Sequence, residues 1–358
     1  MVLRWQCALA ALVLVMAAIW GPDATAQAAQ PVAAPAAPVT CKVGGFVTSL
    51  HDIETASRTF KADLWLWSLC PTKDIEPLKT LEFVSSVETT ASLDSILPRG
   101  DQWWATRKVS GVFRNDFELD SYPFDRHPLG IEMEESTQDA RSLLLTADTE
   151  HSGIDPAAAS PGWKFDGFTL RSGLAIHPTT FGDPSLTKGD SRYAALHLII
   201  RAERAHFATF IKLTSALYIA SFLVLMSLLF DVSNTDLFIG RMGVQASALF
   251  AVVLNFVAAG GSVGHHESLS LLDEIHVATL VLVLVTTTWS VFAYRAVAGG
   301  TRAAKVRRWD ERSAAVFLVL FLIANITLFV IANKRGSQNP AAYATTRVLH
   351  AVPGPPHA

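Results

Sequence analysis

The sequence is poor in the residues and spacings that build active sites. It has 3 cysteines in 358 residues, none at CxxC spacing, and no HExxH, so the common zinc and redox motifs are missing. Neither GxGxxG nor a P-loop occurs, which removes the two usual phosphate-cradling signals. Charge is also scarce and balanced: 29 Lys+Arg against 32 Asp+Glu, a net −3, with 17% charged residues. That balance leaves no basic footprint for nucleic acid, and a 50% hydrophobic content excludes a disordered chain. No catalytic constellation, cofactor site or metal site is visible, so the chain does not read as an enzyme.

What is present is uneven. Residues 1–26 read as a secretory signal peptide: Arg4, the apolar run Ala8–Trp20, then Ala24-Thr25-Ala26 as a cleavage site. Residues 27–40 are rich in Ala, Pro and Gln and read as a flexible linker. The domain over 41–205 is then extracytoplasmic, periplasmic in a bacterium. Beyond Arg204 four apolar runs of spanning length follow, at about 208–230, 238–259, 277–294 and 314–332, within a membrane domain over 206–335. The third connection carries Arg295, Arg302, Lys305, Arg307, Arg308 and Arg312, which places it in the cytoplasm. The expected setting is therefore the inner membrane, with several spans in the lipid bilayer. The tail 336–358 reads as disordered.

The first domain reads as an all-β sandwich. Strand-like segments recur at Val43–Leu50, Thr59–Leu69, Leu81–Val87, Trp103–Phe113, Leu129–Met133, Arg141–Thr146, Trp163–Phe168 and Arg192–Arg201, with Gly, Pro and Asp between them. If the first two form a hairpin across HDIETAS, Cys41 and Cys70 meet near its open end. The oxidising compartment then favours a disulfide between them, the other reading being two buried thiols.

Two stretches stand out. In FELDSYPFDRHPLGIEME, Pro123 fixes its own φ and turns the chain between two strands. Tyr122, Phe124 and Asp125 make that turn an apolar wedge with one carboxylate, a composition suited to pressing on another apolar surface. In the second span, Gly243, Ser247, Phe250, Leu254 and Val257 fall on one helix face. Shifted by one residue, the face becomes Met242, Ala246, Leu249, Val253 and Phe256. Either stripe is bulky and apolar in its middle and suits a pore that gates by dewetting. The other reading is a buried bundle helix that uses small residues for close packing.

The YPFD turn resembles the Pro-loop of the pentameric ligand-gated ion channels, the Cys-loop receptor superfamily, in its bacterial branch. The segments VGGFVTSLHDIETASRTFKADLWLW, RMGVQASALFAVVLNF and SLLDEIH are similar to that family's first two strands, pore helix and start of third helix. The resemblance implies an immunoglobulin-like sandwich followed by an all-α four-helix membrane domain. It implies a homo-oligomer, a pentamer, that opens to permeating ions when a small-molecule agonist binds. It further implies that Asp125 pairs with Arg201 or Arg204, and that Asp52 of the first hairpin rests on the membrane domain. Leu272 and Asp273, within the linker Leu269–Ile275, would receive the push. Arg241 would be the basic residue of the inner mouth, its other reading being a positive-inside anchor. The chain departs from the family in lacking cysteines around the Pro-loop, where Asn115 and Leu129 stand, a proline in the first span, and an acid at Gly240.

For the agonist, the resemblance points to aromatics at sandwich interfaces. Phe83, Trp103, Trp104, Trp163 and Phe181, the last in a possible hairpin Ser172–Asp190, are candidates for a cation–π cage, though sandwich cores also bury such residues. The cluster His265, His266 and Glu267 reads as a solvated loop or a proton or metal sensor. The competing function is a non-conducting periplasmic ligand-binding or sensor module on a membrane anchor.

Overall fold

The computed structural model describes residues 37–158, 160–184, 189–204, 207–263 and 268–338. The signal peptide, the linker up to residue 36, the His265/His266 cluster and the tail beyond residue 338 lie outside the described residues. The described chain is a β-sandwich followed by four long apolar helices.

Ten strands form two sheets: β1 Val39–Glu54, β2 Thr59–Cys70, β3 Leu81–Phe83, β4 Ser86–Arg99, β5 Gln102–Arg114, β6 Arg126–Asp139, β7 Leu143–Ala147, β8 Gly153–Ile154, β9 Trp163–His177 and β10 Ser191–Arg204. One sheet runs β4-β5-β2-β1-β7, with β8 also on β1; the other runs β3-β6-β10-β9. Alternation explains the core. In β2, Phe60, Ala62, Leu64 and Leu66 point inward at every second position; Leu129, Ile131 and Met133 of β6 and Leu196, Leu198 and Ile200 of β10 meet them from the other sheet.

The β1–β2 hairpin forms, and Cys41 and Cys70 are bonded. Gly44 lets the hairpin close: a Cβ there would collide with the Trp67 ring. Trp67 then donates from Nε1 to Asp148, which also takes Lys42 at 2.9 Å and so pins the chain after β7 to this sheet.

Three sequence expectations need correcting. β1 starts at Val39, inside the stretch read as linker. Leu81–Val87 is not one strand but the whole of β3 and the start of β4, which pair with different neighbours, β6 and β5. The long β4 was not foreseen, because it is exposed along nearly its whole length and so has no apolar alternation to read.

The four helices are α1 Phe207–Ser227, α2 Thr235–Val263, α3 Leu271–Ala298 and α4 Ala303–Gln338. Each is long and apolar enough to cross a membrane, as in a multi-pass membrane protein. All run beyond the apolar stretches read from sequence except α1, which ends at Ser227 where three short turn bonds, such as Phe230 N to Ser227 O, replace it. α2 packs on α1 and α3, and α4 packs on α3 and α1, leaving α4 the most exposed helix.

Candidate functional site

The loop of Leu119–Asp125, between β5 and β6, packs against all four helices. Two tight turns shape it, Tyr122 N to Leu119 O at 2.9 Å and Phe124 N to Ser121 O at 2.7 Å, with the Tyr122–Pro123 peptide cis. Leu119 and Tyr122 bury themselves against Ala259 of α2 and Leu272 of α3, flanked by Leu213 of α1. Phe124 stands between Phe210 of α1 and Phe329 of α4, at centroid distances of 5.3 and 5.0 Å. Such aromatic pairs add about 1 kcal/mol each beyond area burial. The wedge composition is thereby explained.

Asp125 is fully buried behind that wedge. Arg204, at the end of β10, donates from Nε at 2.9 Å and from Nη2 at 3.0 Å, and the backbone N–H of Arg204 donates to the carbonyl of Asp125. His127 Nε2 lies 2.6 Å from Oδ2, the same carboxylate oxygen that accepts from Arg204 Nη2. Burial alone would raise the Asp125 carboxyl; the His127 hydrogen bond and the Arg204 charge outweigh it and hold it below its usual value. The guanidinium is itself clamped between Trp163, 4.2 Å away, and Tyr122, 5.0 Å away. Of the two arginines considered, Arg204 is the partner. Arg201 reaches Asp166 on the exposed side of the sheet, at 3.4 Å.

The connection into α3 is tied to the same loop. Ser268 hydrogen-bonds the Asp120 side chain, and Leu271 N donates to Asp120 O at 3.0 Å. The expected linker Leu269–Ile275 is short, because the helix begins at Leu271. Ser270 caps it, and Asp273 closes a reciprocal capping box with the Ser270 backbone. Leu272 is thus a buried contact under Tyr122, and Asp273 a capping residue. Asp52, expected on the membrane domain, pairs with Lys61 of its own hairpin at 2.9 Å and is half exposed.

α2 has two unlike faces. Its uncovered face carries Gly243, Ser247, Phe250, Leu254 and Val257, the last three about 70% exposed. The alternative stripe is partly covered, Leu249 and Val253 being only 42% and 41% exposed. The first stripe is therefore the more exposed of the two.

The opposite face holds the polar residues. Arg241 is completely buried, not set at a mouth. It grips Asp310 of α4 at 3.0 and 3.2 Å, and donates to Ser290 of α3 and to Leu228 O. Trp289 Nε1 donates to the same Asp310, and Gln245 bonds Ser227 and Ser290. An unpaired charge here would cost several kcal/mol, which is why Arg241 turns inward to its partner. Higher on this face, Asn255 donates to Leu213 O and meets His276 of α3 at 3.0 Å.

The aromatic candidates separate. Phe83 packs on the sandwich core beside Phe113, and Trp163 belongs to the Arg204 clamp. Trp103 and Trp104 lie under Lys73 and Arg99. Phe181 is 64% exposed, just after β9, at 5.3 Å from His177, with Tyr193 of β10 completing the group. His177 Nε2 lies 2.6 Å from Glu134. The sequence assigned no role to His177, Tyr193, Glu134, His127, Asp120 or Asp310, although three of them lie in the stretch 117–134; their roles exist only once strands and helices distant in sequence are paired.

No protein-family model and no curated protein matches the chain.

Proposed function

We propose that the chain is one subunit of a homopentameric ligand-gated ion channel of a bacterial inner membrane, with its sandwich on the periplasmic side. The observation that carries this reading is the division of α2. The helix turns Arg241, Gln245 and Asn255 into its own bundle and leaves Gly243, Ser247, Phe250, Leu254 and Val257 uncovered, on a helix packed on α1 and α3. Small residues at the inner end and bulky ones above them give a tapering stripe. Copies of that stripe around an axis enclose a lumen with an apolar constriction at Phe250 and Leu254, which closes by expelling water. The far more exposed α4 takes the lipid side.

The coupling follows from the Pro-loop. A small molecule bound on the sandwich, with the Phe181–His177–Tyr193 group and its neighbour Glu134 as the candidate site for a cationic amine, moves the sheet that ends in Arg204. Arg204 holds Asp125, and the loop of Asp125 holds Ala259 and Leu272, at the outer ends of α2 and α3. The ligand opens the pore only to the extent that it binds the open arrangement more tightly than the closed one.

The test is ion flux from liposomes holding the purified chain. Phe250→Ser, which wets the constriction, is expected to leak without any ligand while the unaltered protein stays closed. Tight liposomes for both, despite intact assembly, would favour a binding module that does not conduct.

A further inference from the structure

We infer that the sandwich binds a small neutral polyol of monosaccharide size, in a recess between β6, β10 and the chain leaving β5, whether or not the protein conducts. The recess has a local cause. β3 is 3 residues long and pairs with β6 only at Met133–Glu135, so most of the β6 edge from Arg126 to Glu132 has no strand beside it. Two side chains take the missing strand's place. Asn115 Oδ1 accepts from the backbone N–H of Gly130 at 3.2 Å, and Ser85 Oγ from that of Glu132 at 3.4 Å. They satisfy the edge but fill less space than a strand, and a cavity of about 280 Å³ remains. That volume is near the lower end of small-molecule pockets, with room for one ring.

The lining sets the ligand's chemistry. Gly130 and Glu132 of β6 lie opposite Ile199 and His197 of β10, all on the sheet face turned away from the core. A Cβ on Gly130 would meet nothing within 4 Å, so the glycine keeps the floor open, and Ile199 and Pro128 make it apolar. Around that floor the charges alternate. Arg114 makes no ion pair among the described residues, and Asp116 reaches only Arg58, at 3.9 Å. Glu132 faces His197 at 4.0 Å. Acids and bases interleaved in this way give no single sign to select an ion. They offer donors, Arg114 and His197, beside acceptors, Asp116 and Glu132. Neighbouring hydroxyls on a ring are donors and acceptors at once and match that rim, while the ring's C–H face matches Ile199 and Pro128. Arg114 and Asp116 lead into the loop of Asp125, and β10 ends in Arg204. An occupant therefore bridges the two segments that meet at the Asp125–Arg204 pair.

The experiment is equilibrium dialysis of the full chain, in lipid nanodiscs, against radiolabelled D-glucose, D-galactose, D-mannose and D-ribose in turn. The expected result is saturable binding of at least one of them, one molecule per chain, with a Kd below about 10 mM. Gly130→Val fills the recess, and Arg114→Ala removes an exposed donor without touching the fold; each is expected to weaken binding by about tenfold or more. Thermal unfolding checks that each variant is folded, and Arg114→Ala alone decides if Gly130→Val is not. No saturable binding of any of these sugars, or binding that the folded variants leave unchanged, overturns the inference. Displacement of the bound sugar by L-glutamate or putrescine at lower concentration than by unlabelled sugar also overturns it, because the recess then selects ions.

Discussion

Arg204 and Asp125, 79 residues apart in sequence, meet through a two-nitrogen grip at the point where the sandwich hands over to the first membrane helix. Arg204 is the last residue of β10, three before α1 begins, and Asp125 closes a loop that touches all four helices. The pair accordingly ties the end of β10 to the loop that packs on the four helices.

Removing the cation of this pair should be worse than neutralising its anion. Arg204→Ala leaves a buried carboxylate with only His127 beside it, and the cost of such a broken pair is about 3–5 kcal/mol. The expected outcome is a clearly lowered Tm in detergent for Arg204→Ala. Asp125→Asn should lower it less, because no anion is left behind. Equal losses for the two variants would mean that the loop tolerates an unpaired Asp125.

Acid should loosen the same pair. The Asp125 carboxyl titrates lower in the folded protein than in the unfolded chain, so its contribution is complete above the unfolded value of 3.8 and is lost as pH falls below it. Thermal unfolding followed from pH 6 to pH 3 should show a fall in Tm beginning near pH 4, and Asp125→Asn should flatten that part of the curve.

The Cys41–Cys70 bond closes a hairpin of sequence separation 29. By the loop-entropy relation its removal should cost roughly 3–4 kcal/mol. Cys41→Ser, or reduction of the native protein, should lower the unfolding transition of the sandwich, and the two treatments together should do no more than either one.

At the inner end, Asp310→Ala should strand Arg241 in the bundle and lower the yield of assembled protein. The double change Arg241→Met with Asp310→Leu should recover much of that loss, because apolar side chains of similar volume replace a buried pair at little cost. Size-exclusion recovery in mild detergent reads both.

Much of this was legible in the chain. The four spans declare themselves by length, the Cys41–Cys70 hairpin by two strand-like segments on either side of one polar turn, and the wedge of Tyr122, Pro123 and Phe124 by a composition no solvated turn requires. The centre of the α2 face at Phe250 and Leu254 was legible to within one residue, and tertiary packing resolved the rest. β4 was hidden because a strand exposed on both faces carries no apolar period. The start of α3 was readable in principle, since Ser270 and Asp273 have capping-box spacing. The inward turn of Arg241 was not, because a positive charge at a helix end has the same sequence whether it faces a lumen, a headgroup or an aspartate on a helix 69 residues further along the chain.

A ring of subunits around α2 fixes the number of copies, and that number is read from the purified chain in mild detergent. Native mass or particle imaging should give five copies with five-fold symmetry and the α2 faces turned to the axis. A monomer or dimer that persists across several detergents would leave Phe250, Leu254 and Val257 with no lumen to line, and there would be no pore.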